Sequence, residues 1–210
     1  MQNWLTTYFP EGPLRRRAGF GALLLLLALA EAWIGPMASS QALSADAIDL
    51  AVCALALLVD PALAGLNREQ KTLALLLRHG VVVAAAGWTG LVTLYHCFVP
   101  LLPAPEAMAS LGVMAAALNF AIFGLTPRDE TDAVLRAARH RARNDLFGSA
   151  ALLLAAGVVV LTQSRAPDLV VAAVMVTLVL NQAVPQLRAA IADLKALRAE
   201  RPAADKEAMR

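Results

Sequence analysis

A chain of 210 residues that is 59% hydrophobic and 16% charged, with a mean hydropathy of +0.62, is too apolar for an ordinary soluble domain of its size. Its formal charge of +2, with no basic stripe interleaved with aromatics, argues against a nucleic-acid partner. Two cysteines, Cys53 and Cys97, lie inside or at the edge of apolar segments and do not suggest a secreted disulfide framework. The remaining partner is the lipid bilayer. A spanning helix needs roughly 20 apolar residues to cross about 30 Å of hydrocarbon, so the composition predicts an all-α polytopic bundle of six transmembrane helices.

In chain order, the apolar runs place spans near residues 18–38, 44–64, 80–101, 107–126, 145–163 and 168–187. Turn-forming segments divide them: Pro36 with Ser39 and Ser40, Asn67 to Lys71, Pro100 to Pro105, Pro127 to Glu130, and Ser164 to Pro167. Residues 1–188 thus read as one six-helix transmembrane domain and 189–210 as a short charged cytoplasmic tail, fraying from Ala199 onward.

Lysine and arginine accumulate on the cytoplasmic side of membrane proteins. With six spans, 17 of the 18 basic residues fall on one side and only Arg165 on the other. Both termini are therefore expected in the cytoplasm, with the chain in the inner (plasma) membrane. The competing reading is a cleaved secretory signal, with Arg15 to Arg17 before the first apolar run and Ser40 to Ala42 as the cleavage site; it leaves five spans and spoils the charge partition.

Acidic groups at membrane depth are costly, so function is sought there first. They are Glu31, Asp46, Asp49, Asp60 and Asp168, with Asp145 at the foot of the fifth span. Asp60 and Asp168 adjoin prolines at helix ends, where a carboxylate caps free N–H groups or sits at the membrane interface. Asp46, Asp49 and Cys53 stand at i, i+3 and i+7, within an arc of roughly 60° on one helix face. Two carboxylates and a thiol facing the bundle interior suit a divalent cation, the thiolate favouring softer ions such as zinc. The plainer alternative makes Cys53 a small buried residue and Asp46 a cap for the second helix. His96 and Cys97 are neighbours on a helix, about 100° apart, and make a poor chelate.

The run "EAWIGPMASSQALSADAIDL" resembles the first two spans of the cation diffusion facilitator family, exporters of zinc and related divalent metals. The match is in Glu31, Gly35, Ser39 and the "ADA" ending in Ala47. The segments "NDLFGSAALLLAAGVVVL" and "APDLVVAAVMVTLVL" are similar to the family's entries to its fifth and sixth helices. The resemblance implies a tetrahedral site built from two residues four apart on the second helix and two four apart on the fifth. Carried over, these are Asp49 and Cys53, then Arg141 and Asp145. An arginine does not lose its proton near neutrality and repels a divalent cation. Either Arg141 points away, with His140 or Asn144 in its place, or the site is not an ordinary metal site.

Depth adds a constraint. From Asp145 to Ser164 is about 19 residues, roughly 28 Å at 1.5 Å per residue, whereas Asp49 lies only a turn or two below the outer surface. The two meet only if the fifth helix starts well before Asp145 and its basic first turns line a water-filled cavity. The family's soluble dimerisation domain has no counterpart in the about 20 residues after Arg188, so any homodimer is expected to form through the spans or through "LRAAIADLKALRA".

Two functions follow. The leading expectation is not an enzyme but a secondary transporter that exports a divalent cation, zinc-like, in exchange for protons, with Asp49, Cys53, Asp145 and Asp46 as ligands. Glu31 assists as a supporting or proton-carrying group, along with Arg141, His140 and Asn144. The alternative is a degenerate relative that no longer transports and serves as a structural or partner subunit, with Arg141 paired to Asp145.

Overall fold

The computed structural model describes residues 12–99 and 101–208. Pro100, the first eleven residues of the expected transmembrane domain and the last two of the expected tail lie outside the described residues. Among the described residues the fold has six helices: α1 (Pro13–Met37), α2 (Gln41–Leu63), α3 (Arg68–His96), α4 (Pro105–Leu125), α5 (Ala133–Thr162) and α6 (Ala166–Ala208). Among the described residues there is no strand. The expected six-helix, all-α architecture is borne out.

Local chemistry sets where each helix begins. Pro13 and Pro105 occupy the first turn of α1 and α4, where a missing N–H costs nothing. Ser40, Asn67 and Asp132 cap α2, α3 and α5, each accepting a hydrogen bond from a backbone N–H of the first turn. Asp46 is therefore not the cap of α2. At the far end of α5, Gln163 takes the left-handed conformation that closes a helix, with φ 49°.

These caps start two helices well before their apolar stretches. Helix α3 begins at Arg68 and α5 at Ala133, each about three turns ahead of the spans predicted near residues 80 and 145. Nor does the tail fray from Ala199: α6 continues unbroken to Ala208.

The chain runs up and down. One end of the bundle gathers the start of α1, the α2–α3 and α4–α5 connections and the extension of α6; the other gathers the α1–α2, α3–α4 and α5–α6 connections. Ion pairs fasten the first end: Arg16 to Glu130 at 2.9 Å, Arg17 to Asp132, and Arg78 to Asp60. Arg68 approaches Glu200 at 3.4 Å on the surface. At the second end the Ala104 N–H donates to the Ala38 carbonyl, and Arg165 donates to the Cys97 carbonyl.

Helix α2 is the axis, in contact with all five others. The main apolar core joins α1, α2, α4 and α5 through Leu24, Leu50, Met108, Ile122 and Leu152. Helices α3 and α6 pack on each other and form a second cluster against α2 through Val82, Ala86, Val179 and Ala183. Helix α1 approaches α2 closely because Gly21 and Gly35 face it; a methyl group at Gly35 would stand 2.8 Å from Ser44 Oγ.

Large apolar side chains cover the outside, among them Trp33, Leu77, Trp88, Phe120, Leu154 and Leu161. Among the described residues, six helices are long and apolar enough to cross a bilayer. Such a belt is unstable in water and stable in hydrocarbon, which makes this a multi-pass membrane protein.

Candidate acidic site in the bundle interior

Each acidic residue of the central cluster is delivered by a regular helix. Asp46, Asp49 and Cys53 come from α2, Arg141 and Asp145 from α5, and Glu31 from α1. Because α5 starts at Ala133, Asp145 lies about three turns inside it rather than at its foot, which brings it level with Asp49. Of the basic residues ahead of Asp145 on this helix, Arg141 lines cavities, as a charged group at depth must.

Arg141 organises the contact between α2 and α5. Its guanidinium is hydrogen-bonded to Asp49 Oδ1, and its Nε lies 3.8 Å from Asp145 Oδ2. Cys53 Sγ donates to Asp145 Oδ2 at 3.5 Å. Arg141 therefore does not point away, and it bridges both aspartates. His140 does not fill its place, since it is exposed. Asn144 lines a cleft beside Asp46, Asp49 and Asp145.

A second acidic pair adjoins the first. Glu31 is fully buried and lies against Asp46, itself only 5% exposed. Apart from that contact between carboxyl groups, neither oxygen of Glu31 nor Asp46 Oδ2 has a hydrogen-bond partner among the described residues. Around the cluster, four carboxyl groups face one guanidinium. Among the described residues, no three His, Cys, Asp or Glu side chains converge in a geometry that holds a metal ion. The guanidinium occupies the space between Asp49 and Asp145.

Three cavities reach this region. One of about 290 Å3 runs from Cys53, Arg141 and Asp145 past Asn119 toward Asp60 and Ala133, at the end where α1 begins. A second of about 440 Å3 runs from Asp46, Asp49 and Asp145 along α6 to Val170 near the opposite end. A small one of about 80 Å3 is lined by Arg78, His79, Arg141, Gln182 and Gln186.

The other polar residues hold the frame. Asp168 lies in the first turn of α6, yet it caps a neighbour instead of its own helix. It accepts from Ser40 Oγ at 2.6 Å, from the Gln41 N–H at 2.8 Å and from the Ala42 N–H at 3.2 Å, so it locks the start of α2 to α6. Asp60 pairs with Arg78 of α3 rather than capping a helix. His96 Nδ1 lies 3.2 Å from Gln41 Nε2, and Cys97 is exposed with its thiol donating to the Thr93 carbonyl. The Glu31–Asp46 pairing and the Asp168 lock escaped the sequence. Each joins helices whose contact no local pattern specifies; the one available signal was the rarity of buried acids.

The fold and site together define a polytopic membrane protein with an acidic, cavity-lined interior. No protein-family model matches the chain, and no curated protein matches it significantly.

Proposed function

We propose that this membrane protein is a secondary transporter that exports a divalent cation, zinc-like, in exchange for protons. The observation that carries the reading is the placement of the acidic cluster between two cavities that reach toward opposite ends of the bundle. Four carboxyl groups against one guanidinium leave negative charge that a buried site must neutralise with protons or a cation. In such a scheme each ion displaces the other as access alternates between the faces. Arg141 then acts as a tethered internal cation: the divalent ion takes Asp49 and Asp145 only when Arg141 swings toward His79 and Gln182, which line the small cavity beside it.

The bond between Arg141 and Asp49 favours a second reading, a non-transporting structural or partner subunit in which the arginine closes the site permanently. Proton-coupled zinc uptake into inside-out vesicles separates the two, comparing wild type with Arg141→Asp. Uptake by wild type eliminates the non-transporting reading. Uptake in the variant alone, or in neither protein, eliminates the exporter. The charge partition supports an orientation with both termini on the cytoplasmic side of the inner membrane. A reporter fused after Arg210 should be active only in the cytoplasm, and periplasmic activity alone would overturn that orientation.

A further inference from the structure

The cleft of about 440 Å3 between α2, α5 and α6 has two unlike surfaces. Its floor is acidic, with Asp46, Asp49 and Asp145, and Asn144 and Gln182 at its edges. Its walls are apolar, formed by Phe147, Val171, Val174, Met175 and Leu178. Phe147, Val174 and Leu178 are also more than half exposed on the outside of the bundle, so the mouth opens sideways between α5 and α6 into the hydrocarbon.

We propose that this cleft binds a bulky, apolar organic monocation drawn from the membrane. The size is that of a small-molecule pocket, of which about 300 Å3 is the lower bound. The charge is set by the floor. Asp49 is taken up by Arg141, which also approaches Asp145, but among the described residues Asp46 has no cationic partner. Asp46 is buried, its Oδ2 has no hydrogen-bond donor, and it lines the cleft. The remaining neighbour, Glu31 on α1, is a second buried carboxyl in contact with Asp46 and brings no cation.

A lipid tail would satisfy the walls and leave Asp46 without a cation. A hydrated divalent ion would satisfy the floor and gain nothing from the walls. A cation with an apolar body satisfies both, because its charge is worth most where carboxylate and ligand are desolvated together. The proposal shares its acidic floor with the transport reading and does not depend on transport.

The test uses the full chain in lipid nanodiscs with radiolabelled tetraphenylphosphonium, and tetraphenylborate as a probe of the same shape and opposite charge. Two variants address the two surfaces. Asp46→Asn removes the unpaired charge. Gly148→Leu fills the cleft, since a Cβ at Gly148 meets only Met175 Cε, at 3.6 Å, and the longer side chain extends into the space. Saturable binding of the phosphonium to wild type is expected, weakened about tenfold or more by either substitution, with no saturable binding of the borate.

Binding that either variant leaves intact, borate bound as well as phosphonium, or no saturable phosphonium binding overturns the proposal. Should Gly148→Leu elute as aggregate, Val174→Trp narrows the same mouth and replaces it. Zinc exchange is read separately: if it is absent while phosphonium binding persists, the exporter reading fails alone, and the converse result removes only this proposal.

Discussion

Replacing Asp168 with alanine should be among the most damaging single changes in the protein. The carboxylate is 1% exposed and accepts three hydrogen bonds, from Ser40 Oγ and from the N–H groups of Gln41 and Ala42. The two amides are free ends of α2, and no other partner serves them. Leaving a buried donor unsatisfied costs about 1 to 3 kcal/mol each, so the pair contributes roughly 2 to 6 kcal/mol. Removing the carboxylate also relieves its own desolvation, which brings the net loss to about 2 to 4 kcal/mol. Ser40 Oγ still accepts from the Leu43 N–H and is not counted. Asp168→Asn keeps one acceptor oxygen and should lose about half as much. Unfolding equilibria in SDS-titrated micelles measure both. An alanine variant within about 0.5 kcal/mol of wild type, or an asparagine variant as damaged as alanine, would refute the assignment of Asp168 as a cap across helices.

Gly35→Ala should lower the melting temperature in detergent, because its new methyl would stand 2.8 Å from Ser44 Oγ and 3.1 Å from the Ser44 amide; overpacking of this kind costs about 1 to 3 kcal/mol. Gly87→Ala, with nothing within 4 Å, should be neutral or stabilising, and equal effects at the two glycines would contradict the close approach of α1 and α2. Burial pushes the Asp132 carboxyl up, but hydrogen bonds from the Leu135 N–H, Arg17 and the Val134 N–H outweigh it and hold the group below its ordinary value of 3.8. A carboxyl depressed in the folded state stabilises at pH above its unfolded value and loses that contribution as pH falls through the folded one, so wild type should weaken below about pH 4. Asp132→Asn should flatten this part of the curve, read as melting temperature against pH; an unchanged slope counts against the cap.

What was legible in the sequence was what lipid dictates. Hydropathy located six spans because hydrocarbon demands a continuous apolar run, but it is blind to helix that lies outside the run. Asn67 and Asp132 begin α3 and α5 early, and only their capping chemistry records it. That early start decides the geometry of the acidic cluster, since it carries Asp145 into the bundle beside Arg141. The stripe of Asp46, Asp49 and Cys53 was readable from helical period, but its division was not. Asp46 turns to Glu31 on α1, and Asp49 and Cys53 turn to α5. Which neighbour a buried acid meets is fixed by packing between distant segments. For the same reason Asp168 looked like a cap for its own helix, and its partners lie about 127 residues away.

The unbroken run of α6 turns the last helix into a lever. At 1.5 Å per residue its 43 residues extend about 64 Å, roughly twice the hydrocarbon thickness. Within the membrane it packs chiefly on α3, against the α2 axis, and a surface contact from Arg68 to Glu200 joins the two helices again beyond it. A tilt of this pair by about 10° against the other four helices would carry a point about 30 Å along the extension through about 5 Å. A rearrangement of the acidic interior too small to resolve between side chains would then be readable as a displacement in the aqueous phase, where a pair of spin labels or fluorophores can follow it.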